Sequence, residues 1–165
     1  LDFVKDYRLI AELPTPELEY HTIGEILQHV KVLMMPFANG RNIQLKVEQT
    51  ASKISIQIDL KLIEQALINL VTNSIYALED IEAPIIEINY RLDLGKLFLD
   101  VTDNGKGIQA ELLEKIFVPF FTTRKNGSGI GLTITRNIMK MHTGSLEVLS
   151  APYEKTTFSL VFKYQ

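Results

Sequence analysis

The chain has 165 residues, 46% hydrophobic and 22% charged, which suits one globular domain with a buried core and excludes a disordered chain. A formal net charge of -3 offers no basic excess for nucleic acid, and the absence of cysteine excludes disulfides, thiolate zinc sites and a cysteine nucleophile. No apolar run approaches the roughly 20 residues of a membrane span, and no stretch reads as a signal peptide. The chain opens on Leu1 rather than Met, so a longer protein with segments upstream is expected.

Residues 1–13 place Leu1, Val4, Leu9 or Ile10 and Leu13 near one helical face. So short a stripe needs a missing neighbour or a second chain to bury it; a frayed terminus is the alternative. Pro14 and Pro16 then stop the helix and favour an extended linker over 14–21. Thr22, with Glu25 three residues on, caps a helix whose core stripe is Ile23, Ile26, Leu27, Val30, Leu33 and Met34. Pro36 should end or bend it, and Asn39-Gly40 should finish it. IQLKVEQ and KISIQI alternate and read as two neighbouring strands joined at Ala51-Ser52.

Asp59 can cap the next helix, whose core face holds Leu62, Ile63, Ala66, Leu67, Leu70 and Ala77. Asn69 and Asn73 sit beside that face, at i and i+4, and so point the same way. Asparagine is a poor residue inside a helix. The two either lie on a solvent flank or turn amide oxygens towards a hydrated ligand or hard cation. IIEINYRL and KLFLDVTD, around a turn at Asp93 to Gly95, predict a β-hairpin ending in Asp103.

A carboxylate at a strand end, followed by Asn104-Gly105-Lys106-Gly107-Ile108, can accept a hydrogen bond from an amino group while the backbone approaches a flat ring. Alone, this sequence is also an ordinary turn. QAELLEKIF reads as a short helix, and FVPFFTTRKNGSG has little periodicity. Gly127, Gly129 and Gly131 precede a helix with Leu132, Ile134 or Thr135, Ile138, Met139 and Met141 towards the core. Backbone N–H groups there can meet phosphate. The spacing is neither a P-loop nor a dinucleotide fingerprint. SLEVLS and TTFSLVFKY are two further strands about Pro152.

Together the asparagine helix (Asn69, Asn73), Asp103 to Ile108, the aromatic flap Phe117 to Phe121 and Gly127-Ser128-Gly129-Ile130-Gly131-Leu132 resemble the ATP-binding catalytic domain of sensor histidine kinases. The wider group also holds gyrase B, Hsp90 and MutL. The likeness covers residues 20 to 163, and Leu1 to Leu13 resembles the end of the helical dimerisation and phosphoacceptor domain. It implies an α+β fold: a two-layer sandwich, with a mixed, mostly antiparallel sheet of about five strands and three helices on one face (the Bergerat fold). The catalytic domain would be residues 22–165.

The resemblance further implies ATP and Mg²⁺ as cofactors. Asp103 would accept from the adenine amino group, with Gly105, Gly107 and Ile108 around the base and Thr156 supporting Asp103 through water. Asn73 would be the magnesium ligand, with Asn69 on the phosphate side. The lid would contribute Phe120, Thr122, Thr123, Gly127, Ser128, Gly129, Ile130, Gly131 and Leu132, and Arg124 and Lys125 would neutralise the γ-phosphate. Implied partners are the upstream phosphoacceptor domain, a response-regulator receiver and a second copy of the full-length protein, but no nucleic acid. The implied location is cytoplasmic, with any anchor in the inner membrane upstream.

ATP-hydrolysing members of the group carry a glutamate where Asn69 stands. An amide is a poor base, which favours transfer to histidine over hydrolysis. Glu64, five residues earlier, lies on a different face. The chain departs from the family pattern at Pro152-Tyr153-Glu154-Lys155-Thr156, which lacks two glycines, at Tyr76, often a basic residue, and at Thr143. His21, His29 and His142 lack the acidic residue that follows the family's phosphoacceptor, so the acceptor is expected upstream. A hydrolysing ATPase and a degenerate scaffold module are the alternatives.

Overall fold

The computed structural model describes residues 13–48, 53–125 and 127–164. The helix expected over residues 1–13 therefore lies outside the described residues except for Leu13, as does the Ala51-Ser52 turn. Leu13 packs against the core, and the Glu17 N–H donates to Asp59 Oδ2 at 3.0 Å. The extended segment after the prolines ends in a strand, β1 (Glu19–Thr22).

Helix α1 (Ile23–Asn39) starts as expected, with the Thr22 hydroxyl accepting from the Glu25 N–H at 3.2 Å. Pro36 does not end it. Proline lacks only its own donor, and its carbonyl still accepts from the Gly40 N–H at 3.1 Å, so the last turn closes. Leu33, expected in the core, is 44% exposed.

The pairing of β2 (Gln44–Val47) and β3 (Ser55–Ile58) differs from expectation. They are not partners. β2 runs parallel to β4 (Ile85–Asp93), with Gln44 opposite Ile85, whereas β3 pairs antiparallel with β1, His21 opposite Ile56. Alternation says which side chains go inward but not which strand supplies the hydrogen bonds. Here β1, hidden in the proline-rich stretch, takes β3 away.

Helix α2 (Leu60–Ala77) follows, capped by Asp59 through the Leu62 N–H at 3.1 Å. The hairpin β4–β5 (Lys96–Asp103) forms as predicted. Its two turn residues, Leu94 and Gly95, both have positive φ, the geometry that suits strand twist. The expected helix over 109–117 is instead two 3₁₀ turns, Ala110–Leu112 and Lys115–Phe117. Neither has a side-chain cap, and Val118, restricted by Pro119, swings to an extended ψ of 128°. Helix α3 (Gly131–Met141) and strands β6 (Ser145–Leu149) and β7 (Thr156–Lys163) complete the chain.

The main sheet has five strands in the order β2-β4-β5-β7-β6, parallel at β2–β4 and antiparallel elsewhere. Its inner face presents Ile86, Ile88, Leu97, Leu99, Val101 and Leu160, all fully buried. The helices cover that face, with α2 packed between α1 and α3. This is the mixed two-layer sandwich expected. It brings the end of β5, the end of α2 and the start of α3 to one edge.

Candidate nucleotide site

That edge holds a cavity of about 420 Å³, within the usual range for small-molecule sites. Asp103 closes its inner end. The residue is only 2% exposed, yet both oxygens are held: Oδ2 accepts from the Ser74 hydroxyl at 2.8 Å and Oδ1 from the Gly105 N–H at 3.0 Å. Burial pushes the Asp103 carboxyl above the usual carboxylate range, and the Ser74 and Gly105 donors pull it part of the way back. Each oxygen retains capacity for a further donor.

Register places Thr156 directly opposite Asp103. The Thr156 hydroxyl lies 2.7 Å from that of Ser150, which accepts the Ile108 N–H at 3.0 Å. Thr156 thus also braces the turn after Asp103. Ser74 and Ser150 were not singled out in the sequence. Ser74 had a readable signal: a hydroxyl on the otherwise apolar face of α2, one turn after Leu70 and Val71.

The turn itself is packed tightly. Gly107 has φ +70°, and a Cβ there would lie 1.9 Å from the Ala151 carbonyl oxygen. Its lack of a side chain therefore lets the β6–β7 connection sit on the turn, with the Tyr153 N–H donating to the Lys106 carbonyl at 2.8 Å. Asn104 is structural: its amide accepts from the Ile85 N–H and donates to the Ala83 carbonyl, each at 2.8 Å.

The two asparagines of α2 have different surroundings. Asn73 lines the cavity. Asn69 donates to the Gly131 carbonyl at 3.3 Å and the Thr135 hydroxyl at 3.4 Å, tying α2 to the start of α3. Glu64 is remote from both functions, its carboxylate 2.6 Å from His29 Nδ1 on α1. His142 is buried; its Nε2 accepts from the Asp59 N–H at 3.0 Å, so Nδ1 carries the proton and donates to the Ile138 carbonyl at 2.7 Å.

The lid is pinned at its base by the Phe120 N–H, which donates to the Gly129 carbonyl at 3.0 Å. Gly129 has φ +69°, and a Cβ there would press on the Phe120 and Phe121 backbone. Phe120 also has positive φ, and it is Phe121 rather than Phe120 that lines the cavity. The Thr122 hydroxyl accepts the Arg124 N–H at 3.1 Å. The Arg124 guanidinium lies over the Tyr76 ring, 4.3 Å from its centre, so Tyr76 holds a cation where a basic side chain would repel one.

Of the residues singled out in the sequence, Asn73, Asp103, Gly107, Ile108, Thr122, Thr123, Arg124, Gly129, Gly131, Leu132 and Thr156 meet at the cavity. Gly105, Asn69, Phe120, Gly127 and Ser128 do not line it; Gly105 bonds Asp103, Asn69 ties α2 to α3, and Phe120 and Gly127 bond within the 120–129 segment. Ile130 is 5% exposed in the core, and Lys125 is exposed on the lid. Tyr153 and Phe158 also line the cavity; Phe158 alternates with Leu160 and Phe162 along β7, whereas Tyr153 lies in the turn before that strand and has no periodic signal.

A flat polar ring fits beside Asp103, and negative charge fits at the other end, near Arg124 and the start of α3, which no side chain caps. The fold and site thus define a nucleotide-binding α/β sandwich. The family of histidine kinase-, DNA gyrase B- and HSP90-like ATPases matches residues 58–165, and the chain belongs to it. Sensor histidine kinase ZraS of Escherichia coli (strain K12) is 34% identical over 159 residues, spanning 93% of this chain and 34% of that protein. The catalytic domain of histidine kinase ThkA is 32% identical with TM-score 0.78, covering 90% of this chain and 99% of that domain. ThkA in complex with response regulator protein TrrA is 28% identical with TM-score 0.80, covering 98% of this chain and 46% of that one. The chain spans about a third of the length of the ZraS proteins it matches.

Proposed function

We propose that the chain is the ATP-binding catalytic domain of a sensor histidine kinase. It directs the γ-phosphoryl group of ATP to a histidine on an upstream helical domain, for relay to a response-regulator aspartate. The observation that carries the reading is Asp103: a buried carboxylate with spare acceptor capacity at the closed end of a cavity whose other end has Arg124 and a helix N-terminus.

In this reading Asp103 accepts from the adenine amino group, and the Ser74 and Gly105 donors favour its charged form against burial and aim it. Gly131 and Leu132 present the first amides of α3 to phosphate. Arg124 adds charge from the lid, and Lys125 follows it on the same segment. Among the described residues no group of three His, Cys, Asp or Glu side chains is placed to hold a metal. The Asn73 amide oxygen is a hard donor beside the cavity. That set fits magnesium held by phosphates and water with one protein ligand. Asn73 would hold such an ion at the phosphate end, where it would supply charge neutralisation.

Two features favour transfer over hydrolysis. Asp103 is the one carboxylate lining the cavity among the described residues, and it lies at the base end. Asn69, where a water-activating base would stand, is an amide already donating to α3. None of the three histidines of the chain lines the cavity. The acceptor, the dimer partner and any inner-membrane anchor would lie outside residues 13–164. The test is calorimetric titration of this chain with ATP and Mg²⁺, then labelled ATP supplied to a protein extended upstream. Acid-labile phosphohistidine is the expected product; steady ATP turnover by the isolated chain would instead favour a hydrolase.

A further inference from the structure

Tyr153 lines the cavity, yet the residue is 87% exposed. Its φ is 59°, in the left-handed region where a Cβ costs energy. The conformation is imposed from both sides. The Tyr153 N–H donates to the Lys106 carbonyl at 2.8 Å, and the Glu154 N–H donates to the Ala151 carbonyl at 3.1 Å, closing the turn. Glycine would meet the same backbone demand without strain. What the position holds in exchange for that strain is an aromatic ring at the mouth of a binding site, the setting in which stored strain points to function.

The anchoring also says which part of the cavity the ring attends. Lys106 directly precedes Gly107 in the turn after Asp103, and Thr156, three residues beyond Tyr153, is the register partner of Asp103. Tyr153 therefore stands at the base end. The phosphate end, at Asn73 and Gly131, is built from α2 and α3.

We infer that Tyr153 is a base-binding residue, whose ring folds over the cavity mouth and stacks on the outer face of the bound purine. The inference rests on the nucleotide reading above and deepens it. Asp103 reads the edge of the base, while Tyr153 covers a face that the walls leave open to water. Stacking of a base on an aromatic side chain contributes about tenfold or more in affinity. The ring is free to supply it, because its hydration is nearly complete before the ligand arrives.

The test compares ADP binding to the full chain and to Tyr153→Phe and Tyr153→Gly by calorimetry, alongside their melting temperatures. The expected result is about a tenfold rise in Kd for Tyr153→Gly, near-normal binding by Tyr153→Phe, and a melting temperature for Tyr153→Gly at or above that of the parent chain. A purely structural role would lower melting and affinity together. Tyr153→Gly binding ADP within twofold of the parent, or Tyr153→Phe losing as much as Tyr153→Gly, overturns the inference and leaves the nucleotide reading intact. Failure of the parent chain to bind ADP overturns both.

Discussion

Replacing Asp103 with asparagine should separate stability from binding, moving them in opposite directions. The amide has nearly the shape of the carboxylate. Its oxygen can still accept from the Gly105 N–H at 3.0 Å, and its NH₂ can face Ser74, whose hydroxyl rotates from donating to accepting. The backbone bonds of the turn are untouched. What changes is charge. Burial raises the Asp103 pKa in the folded chain above its unfolded value of 3.8. The folded state therefore binds the proton more tightly. The stability this group contributes is complete below 3.8 and is lost as pH rises through the folded value. At neutral pH the ionised group opposes folding, and Asp103→Asn removes that opposition. The variant should melt higher than the parent near pH 7, with the difference shrinking as the pH falls into the acid range. Binding should suffer. A hydrogen bond to a charged acceptor contributes about 1.5–3 kcal/mol, and here an N–H donor would face another donor. ATP or ADP affinity should fall roughly 10- to 150-fold by calorimetry. Unchanged affinity, or a variant that melts well below the parent, would refute the assignment of Asp103 as a carboxylate kept at the expense of stability.

Three other substitutions probe the scaffold around it. Gly107→Ala puts a Cβ 1.9 Å from the Ala151 carbonyl oxygen and asks alanine to hold φ +70°. Chemical denaturation should show a loss above about 2 kcal/mol, because backbone rather than a flexible side chain must yield. Asn73→Ala should leave metal-free nucleotide binding nearly unchanged while removing most of the affinity gained on adding Mg²⁺, checked by titration with and without chelator. Asp59 behaves oppositely to Asp103. Burial raises its pKa, but the backbone donors of Glu17, Leu62 and Lys61 outweigh that and bring it below 3.8. Its stabilisation is present above 3.8 and is lost as pH falls through the lower folded value. Asp59→Ala should cost about 1 kcal/mol at neutral pH as a lost helix cap, and the cost should shrink in strong acid, where the neutral carboxyl keeps only a weaker acceptor.

Much of this molecule is local. Thr22 and Asp59 start their helices through bonds to residues three positions on, and the β4–β5 hairpin turns on Leu94-Gly95, so short-range chemistry alone marks them. The four nucleotide motifs are legible for a similar reason. Three lie at turns or element ends, where the residue types that fit are few, and the fourth, Asn69 with Asn73, lies inside α2, where asparagine is unfavourable. What sequence spacing cannot carry is who stands opposite whom. β3 alternates correctly, yet its partner is β1, chosen by hydrogen bonds over a separation of more than 30 residues. Asn69 and Asn73 share a helix face, but only the arrival of α3 assigns one amide to Gly131 and leaves the other at the cavity. Ser74 becomes the partner of Asp103 only when α2 lies across the end of β5. Tyr153 reaches the Asp103 end of the cavity because β7 pairs in a register that sets Thr156 against Asp103. Helix caps, turns and glycine positions are settled within a few residues, where the geometry of the chain itself limits the choices. The buried carboxylate, its hydroxyl donor and the strained tyrosine are settled by packing between elements, where desolvation and register act on residues far apart in the chain.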